Sequence, residues 1–271
     1  MLGGDSRSEP APSGAFPPLP LPRAALVTGA GKRIGRACAF ALAEEGFAVA
    51  AHYNASREAA EAVAAEICDK GGKGIALDAD LTDEDTVRKL LPRAAAALGP
   101  IGVLVNNASV FENDTVDTVT KEDWDAHLSV NLRAPFVLIQ EFARGLPGEA
   151  GGLIVNLLDE RVWNLTPYFV SYTLSKAGLW TLTQTMALAL APRIRVNGIG
   201  PGPTLPSPRQ SREQFLRQCR MMPLQRGTGP DEIAAALRFL LAAPAMTGQM
   251  IALDGGQHLG WAQPPQSDVV E

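Results

Sequence analysis

Tyr172 and Lys176 stand four positions apart in the run Tyr172-Thr173-Leu174-Ser175-Lys176. On a helix, that spacing turns both side chains to one face. An ammonium beside a phenol lowers the phenol's pKa and fits it to donate a proton near neutral pH. Tyr-x-x-x-Lys arises often by chance, so its place in the chain decides its meaning. Asp159 lies 13 positions before Tyr172, directly after an apolar run, and Asn106-Asn107-Ala108-Ser109 closes an earlier apolar run. Asn131 falls in the helical stretch between them.

Those runs are the elements that must position the chemistry. From Arg23 onward, short apolar runs alternate with stretches of helical spacing. Strands are predicted at 24–28, 47–53, 73–78, 101–106, 153–158, 194–199 and 250–253, and helices at 33–46, 56–70, 82–98, 121–145, 167–190 and 230–243. Gly46 and Gly71-Gly72 end two of the helices, and Thr82 with Asp85 has the form of a capping box. The alternation predicts an α/β fold: a doubly wound parallel sheet of Rossmann type, in a single domain. Such sheets bind ligands beyond the carboxyl ends of their strands, the edge to which Asn107, Asp159, Tyr172 and Lys176 return.

The first strand runs into Thr28-Gly29-Ala30-Gly31-Lys32-Arg33-Ile34-Gly35. Glycines there let the backbone turn and approach a pyrophosphate resting on the next helix's N-terminus. The spacing is not GxGxxG, and such a turn also exists without a ligand. The second strand ends in His52-Tyr53-Asn54-Ala55-Ser56-Arg57, with no acid before Glu58 to grip the ribose 2′-hydroxyl of NAD. Ser56 and Arg57, with Arg33 nearby, suit a 2′-phosphate, which favours NADPH; they equally suit an ordinary helix start. Asp80-Leu81, after the third strand, offers a carboxylate to an adenine amine or to a helix-entry turn.

Composition excludes other classes. The chain has 271 residues and is 46% hydrophobic, enough to build a core. Its net charge of −5 argues against a nucleic-acid surface. Three scattered cysteines, with no CxxC or Cys/His cluster, argue against a disulfide framework or metal site. Residues 1–22 hold six of the 21 prolines and read as a disordered tail, 23–261 as the domain, and 262–271 as a loose end. No secretory segment is evident, and the longest uncharged stretch carries Thr181, Thr183, Gln184 and Thr185, too polar for a membrane span. A cytoplasmic protein is expected.

Jointly, the Thr28–Gly35 loop, Asp80-Leu81, Asn106-Asn107-Ala108, Asn131, Tyr172-x-x-x-Lys176 and Asn197-Gly198-Ile199-Gly200-Pro201-Gly202 resemble the short-chain dehydrogenase/reductase family, over about 23–261. Three features depart from the family pattern. Arg33 replaces the middle glycine of TGxxxGxG, Asp159 stands where the family has a serine, and Ser109 ends the usual NNAG, with Phe111 two positions on. These departures, His52-Tyr53 and the ending Asp254-Gly255-Gly256-Gln257-His258-Leu259 are similar to the pteridine reductase branch, including bacterial dihydromonapterin reductases. The resemblance implies a homotetramer that uses NADPH to reduce a small-molecule pterin or dihydrofolate to the tetrahydro form. It implies that Thr28, Gly29, Lys32, Ile34, Gly35, Asn107 and Ala108 surround the cofactor and that Lys176 holds its ribose hydroxyls. Asn131 would support an ordered water near Lys176, while Pro201, Gly202 and Thr204 touch the carboxamide and phosphate side.

Pterin chemistry makes sense of the departures. Reducing its C=N bond needs hydride at carbon and a proton at the adjacent nitrogen. Asp159, its pKa raised by desolvation in an apolar crevice, would relay that proton through Tyr172. Arg33 would face the pterin's oxygen and ring nitrogens. Phe111 would sandwich the ring against nicotinamide, a stack of about 0.5–1.5 kcal/mol. Ser109 would bond the pterin or pyrophosphate, and Leu205 would touch the substrate from a covering segment after Gly202. The arginines at 209, 212, 217 and 220 suit an acidic folate tail or a solvated helix face. Trp163 and Tyr168 suit pocket walls or packing, and His258 and Trp261 a reach into a neighbouring subunit. Two other readings stay open. Asp159 and Arg33 speak against a general reductase of ketones or ketoacyl thioesters. The complete Tyr172, Lys176 and Asn131 set speaks against a non-catalytic NADPH-binding sensor.

Overall fold

A computed structural model of the chain describes residues 18–207 and 209–260. Its strands are β1 (Ala24–Val27), β2 (Ala48–Tyr53), β3 (Gly74–Asp78), β4 (Ile101–Asn106), β5 (Gly152–Leu157), β6 (Ile194–Pro201) and β7 (Met250–Leu253). All pair in parallel, in the order β3-β2-β1-β4-β5-β6-β7. The helices are α1 (Arg33–Glu44), α2 (Arg57–Asp69), α3 (Glu84–Leu98), α4 (Lys121–Leu128), α5 (Ala134–Gly145), α6 (Val170–Leu190), α7 (Arg212–Met221) and α8 (Pro230–Ala242). The α/β fold of a doubly wound Rossmann-type sheet is the one expected.

The period of two along each strand splits the core into two layers. Leu26, Leu104 and Ile154 pack with Leu90 of α3 and Val137 and Phe142 of α5. Their neighbours Val27, Val105 and Val155 pack with Leu42 of α1 and Ile233 and Leu237 of α8. Helices on both faces explain why β1, β4 and β5 are buried at every position.

Local chemistry moves several boundaries. The helix expected over 121–145 is two helices joined by a π-helical turn, Ser129–Arg133. Pro135 opens α5 and has no N–H for the carbonyl of Asn131, so the ladder is interrupted there. Asp83 caps α3 by accepting the Asp85 N–H at 3.0 Å; Thr82 instead donates to Asp80. α6 begins at Val170 rather than 167. The segment after Gly202 contains α7, opened by a Ser211/Gln214 capping box.

Residues 18–22, expected in the disordered tail, lie against the domain. The Gly151 N–H donates to the Pro20 carbonyl at 3.0 Å, and Leu21 packs on the α1/α8 layer. A Cβ at Gly102 would stand 2.2 Å from the Pro22 carbonyl oxygen, so glycine makes room for this seat. A chain starting at Arg23 should be less stable than one starting at Pro18 by about 2 kcal/mol, from one lost buried hydrogen bond and one exposed leucine. Urea unfolding of the two forms checks this; equal midpoints would contradict the seat.

Candidate active site

The crevice is built where β1 and β4 end side by side. Beyond β1 the chain turns at Gly29, whose φ is +63°. A Cβ on Gly35 would lie 2.2 Å from the Gly29 carbonyl oxygen and 2.5 Å from Asn107 Nδ2, so only glycine fits. Asn107 Nδ2 donates to the carbonyls of Thr28 (2.8 Å) and Gly29 (3.1 Å). The Thr28 hydroxyl accepts the N–H groups of Asn107 (2.9 Å) and Ala108 (3.0 Å). Arg33 keeps a left-handed backbone, φ +53°, at the position where the family pattern has glycine.

A cavity of about 220 Å³ opens at this edge. It brings together Arg33, Ile34, Asn107, Ser109, Phe111, Asp159, Tyr172, Lys176, Pro201, Gly202, Thr204 and Leu205 of the expected set. Tyr172 Oη donates to Asp159 Oδ2 at 2.9 Å. Lys176 Nζ donates to the Leu157 carbonyl at 2.7 Å and lies 5.7 Å from the Tyr172 ring centroid. Burial lowers the Lys176 pKa to about 8, and the charge of Asp159 opposes that shift. The surroundings of Asp159 are more polar than the apolar crevice expected for it. Its Oδ1 accepts the Arg161 N–H at 2.9 Å and lies 3.8 Å from Arg161 Nε.

Phe111 lines the cavity, stacked on Phe169 at 4.7 Å and edge-on to Tyr172 at 4.6 Å. Two arginines bridge the crevice to the covering segment. Arg33 donates to the carbonyls of Pro206 (2.9 Å) and Leu205 (3.1 Å). Arg209, on the covering segment, pairs with Glu112 at 2.6 Å and donates to the Phe111 carbonyl at 2.9 Å.

Other expected site residues serve the scaffold. Thr28 is buried and spends its hydroxyl on the loop after β4. His52 is buried too: its Nδ1 accepts the Gly29 N–H at 3.1 Å, which leaves Nε2–H for the Ala79 carbonyl at 3.1 Å. It shapes the glycine turn from behind, and burial keeps its ring neutral by lowering its pKa. Asp80 Oδ1 accepts the Thr82 N–H and hydroxyl in a helix-entry turn, and the Leu81 side chain is in the core. Asn131, in the π-helical turn, spends its amide on both backbone groups of Val110 and on Ser175 Oγ, so it braces the Ser109–Phe111 loop. Lys32 and Ser56 precede α1 and α2, Arg57 opens α2, Tyr53 ends β2 and Asn54 follows it; none lines the cavity. Arg57 pairs there with Glu61 at 2.8 Å.

Trp163 is no wall of the cavity; it packs edge-on to Trp180 and His258. Tyr168 is likewise not among the lining residues. His258 is held by Asp254 at 2.7 Å, and Trp261 lies outside the described residues. Sequence reasoning missed Arg161, which lines the cavity with its guanidinium 4.7 Å above the Phe169 ring. The charged run Asp159-Glu160-Arg161, directly after an apolar strand, was the available signal.

A parallel sheet carrying a tyrosine, a lysine and a carboxylate at its carboxyl edge defines an oxidoreductase-type crevice. Residues 23–216 match the family model described as short chain dehydrogenase, and the chain belongs to that family. The structure of FolM alternative dihydrofolate reductase 1 from Brucella suis, in complex with NADP, is 49% identical with a TM-score of 0.86, covering 89% of this chain and 97% of its own. A short chain dehydrogenase from Burkholderia cenocepacia, also with NADP, is 36% identical with a TM-score of 0.80, covering 86% and 97%. The 3-oxoacyl-[acyl-carrier-protein] reductase of Staphylococcus epidermidis is 34% identical over 245 residues, covering 88% of this chain and 99% of its own.

Lys176 yields a pH test of the site. Its pKa of about 8 in the fold lies below the unfolded value of 10.5, so between those values the unfolded chain binds the extra proton. Stability from this group therefore rises with pH across that window. In urea unfolding, wild type should gain about 2 kcal/mol on Lys176→Met between pH 7.5 and 10. A difference independent of pH would contradict the buried ammonium.

Proposed function

We propose that the protein reduces a dihydropterin-class substrate, such as dihydromonapterin, dihydrobiopterin or dihydrofolate, with NADPH. The observation that carries this reading is the 2.9 Å hydrogen bond between Tyr172 and Asp159, a carboxyl where the family pattern has serine. A ketone needs only a neutral donor beside its tyrosine. A ring nitrogen that must end up protonated is better served by a second acid behind the first.

The residues present fit the cofactor. The backbone around Gly29 and Gly35 excludes side chains and leaves N–H groups at the start of α1 for a pyrophosphate. Lys176 and Asn107 would hold the nicotinamide half, and Pro201, Gly202 and Thr204 its carboxamide side. Ser56 and Arg57 would take the 2′-phosphate, Arg57 leaving Glu61 to do so. Bound NADPH supplies the hydride.

This chain's own residues handle the proton. Tyr172 Oη gives its proton to the ring nitrogen. A proton taken up from solvent by Asp159 then passes from Oδ2 to Oη and restores the phenol. Phe111 covers the flat ring, and Arg33 and Ser109 offer donors to its heteroatoms. The NADP-bound Brucella suis relative, at 49% identity, supports the dihydropterin class, whereas the 34% identical Staphylococcus epidermidis relative is a ketoacyl reductase.

Purified protein should oxidise NADPH with dihydromonapterin or dihydrofolate, and much more slowly with NADH or with acetoacetyl-CoA as substrate. Turnover confined to the ketone would sink this reading. Tyr172→Phe and Asp159→Ala should each lower kcat by about 10²-fold or more, the scale of a lost general acid. Rates near wild type in stopped-flow assays of both variants would refute the relay.

A further inference from the structure

Asp114, His127 and Ser171 are assigned to no function above, yet all three side chains are buried, at 2, 0 and 0% exposure. They meet at the start of α6. That helix starts from Phe169, whose backbone is left-handed (φ +58°) and whose side chain makes no capping bond. First-turn N–H groups need acceptors from elsewhere. Asp114, in the loop after β4, supplies them across 57 residues of sequence. Its carbonyl accepts the Phe169 N–H at 2.7 Å, and its carboxylate accepts the Ser171 N–H at 3.2 Å and the Ser171 hydroxyl.

His127, on α4, gives this cluster a direction. Its Nε2 accepts the Glu112 N–H at 3.1 Å, which leaves the proton of a neutral ring on Nδ1. Nδ1–H then donates to Ser171 Oγ at 2.8 Å, and Ser171 Oγ–H donates to Asp114. Burial lowers the His127 pKa and keeps the ring neutral, while Asp114, Asp123 and Glu112 oppose that shift. The serine hydroxyl sits between histidine and carboxylate and donates to the carboxylate, so this is not a nucleophile activated by a base.

The next residue is Tyr172. Its ring is met edge-on by His127 at 5.9 Å and by Phe111 at 4.6 Å, and Phe111 stacks on Phe169. The loop bearing Phe111 and the turn bearing Tyr172 are thus bonded into one piece. We infer that Asp114, Ser171 and His127 are positioning residues that fix where the Tyr172 hydroxyl stands relative to Asp159. The inference rests on Tyr172 as proton donor but not on the identity of the substrate.

The test uses Asp114→Asn, Ser171→Ala and the double variant in the full chain. The chain has three tyrosines, so ¹³Cζ-tyrosine labelling gives few signals, and Tyr172→Phe assigns the one that matters. In each single variant, the Tyr172 signal should move or broaden while that of Tyr53 stays. With whichever of dihydropterin and acetoacetyl-CoA wild type turns over, kcat should fall about tenfold, and the KM for NADPH should stay within about twofold, as for a displaced reacting group. The double variant should lose no more than the worse single one, because both belong to one network. A Tyr172 signal unmoved in both single variants overturns the inference whether or not turnover is found. Fully additive losses in kcat overturn it as well. Failure of pterin turnover alone counts against the proposed substrate and leaves this test intact.

Discussion

The two loops that open the crevice depend on the amide of Asn107, which ties the end of β4 to the end of β1. It bonds two carbonyls of the glycine turn, and the Thr28 hydroxyl returns two bonds to the β4 loop. The tie exists because the chain crosses over to make β1 and β4 neighbours, aligning Val27 with Val105. Thr28 is buried at this junction, so leaving one of its polar groups without a partner costs about 1–3 kcal/mol rather than the smaller net worth of a bond. Arg33 leaves from one side of the junction, and Ser109 and Phe111 leave from the other. Their spacing across the cavity is set there.

Among the described residues three non-glycines hold left-handed backbones that a side chain disfavours, Arg33, Phe169 and Gln225; Arg33 lines the cavity, and Phe169 stacks on Phe111, which lines it. Each such position costs about 1–2 kcal/mol. The surroundings offset the cost. Arg33 is held by two carbonyls of the covering segment, and Phe169 lies between the Phe111 ring and the Arg161 guanidinium. Local preference gives way where the site needs a particular direction of the chain, while the strands and most helices follow it. Arg33 shows the exchange most plainly. Glycine would hold the same turn without strain but would leave the covering segment without its clasp.

The alternation of apolar runs and helical stretches made the parallel sheet legible, because strand burial on both faces leaves a direct compositional trace. Tyr172, Lys176 and Asp159 were legible because their spacing and their place after strands are sequence properties. The roles of Thr28, His52 and Asn131 were not. A side chain that braces a loop from behind and one that touches a ligand from the front can share a motif, and only the partner distinguishes them. His52 bonds Gly29 and Ala79 over separations of 23 and 27 residues, which no local pattern records. Asp114 and Ser171 were invisible for the same reason. The break in the 121–145 helix was, by contrast, readable at Pro135, whose missing N–H interrupts any ladder through it.

Asp159 does more than stand behind Tyr172. The Lys176 ammonium is buried, and the charge of Asp159 is the interaction that opposes its desolvation. A serine at 159 would preserve a hydrogen bond to the phenol and remove that charge. Lys176 would then lose proton affinity. Arg161 bears on the same balance. Its N–H bonds Asp159, and its guanidinium approaches the same oxygen, placing a second cation beside the carboxylate. The departure from the family's serine is therefore a change of the whole charge set, one carboxylate shared by a tyrosine, a lysine and an arginine. In the proposed reaction, proton supply to the substrate is then a property of the cluster rather than of Tyr172 alone.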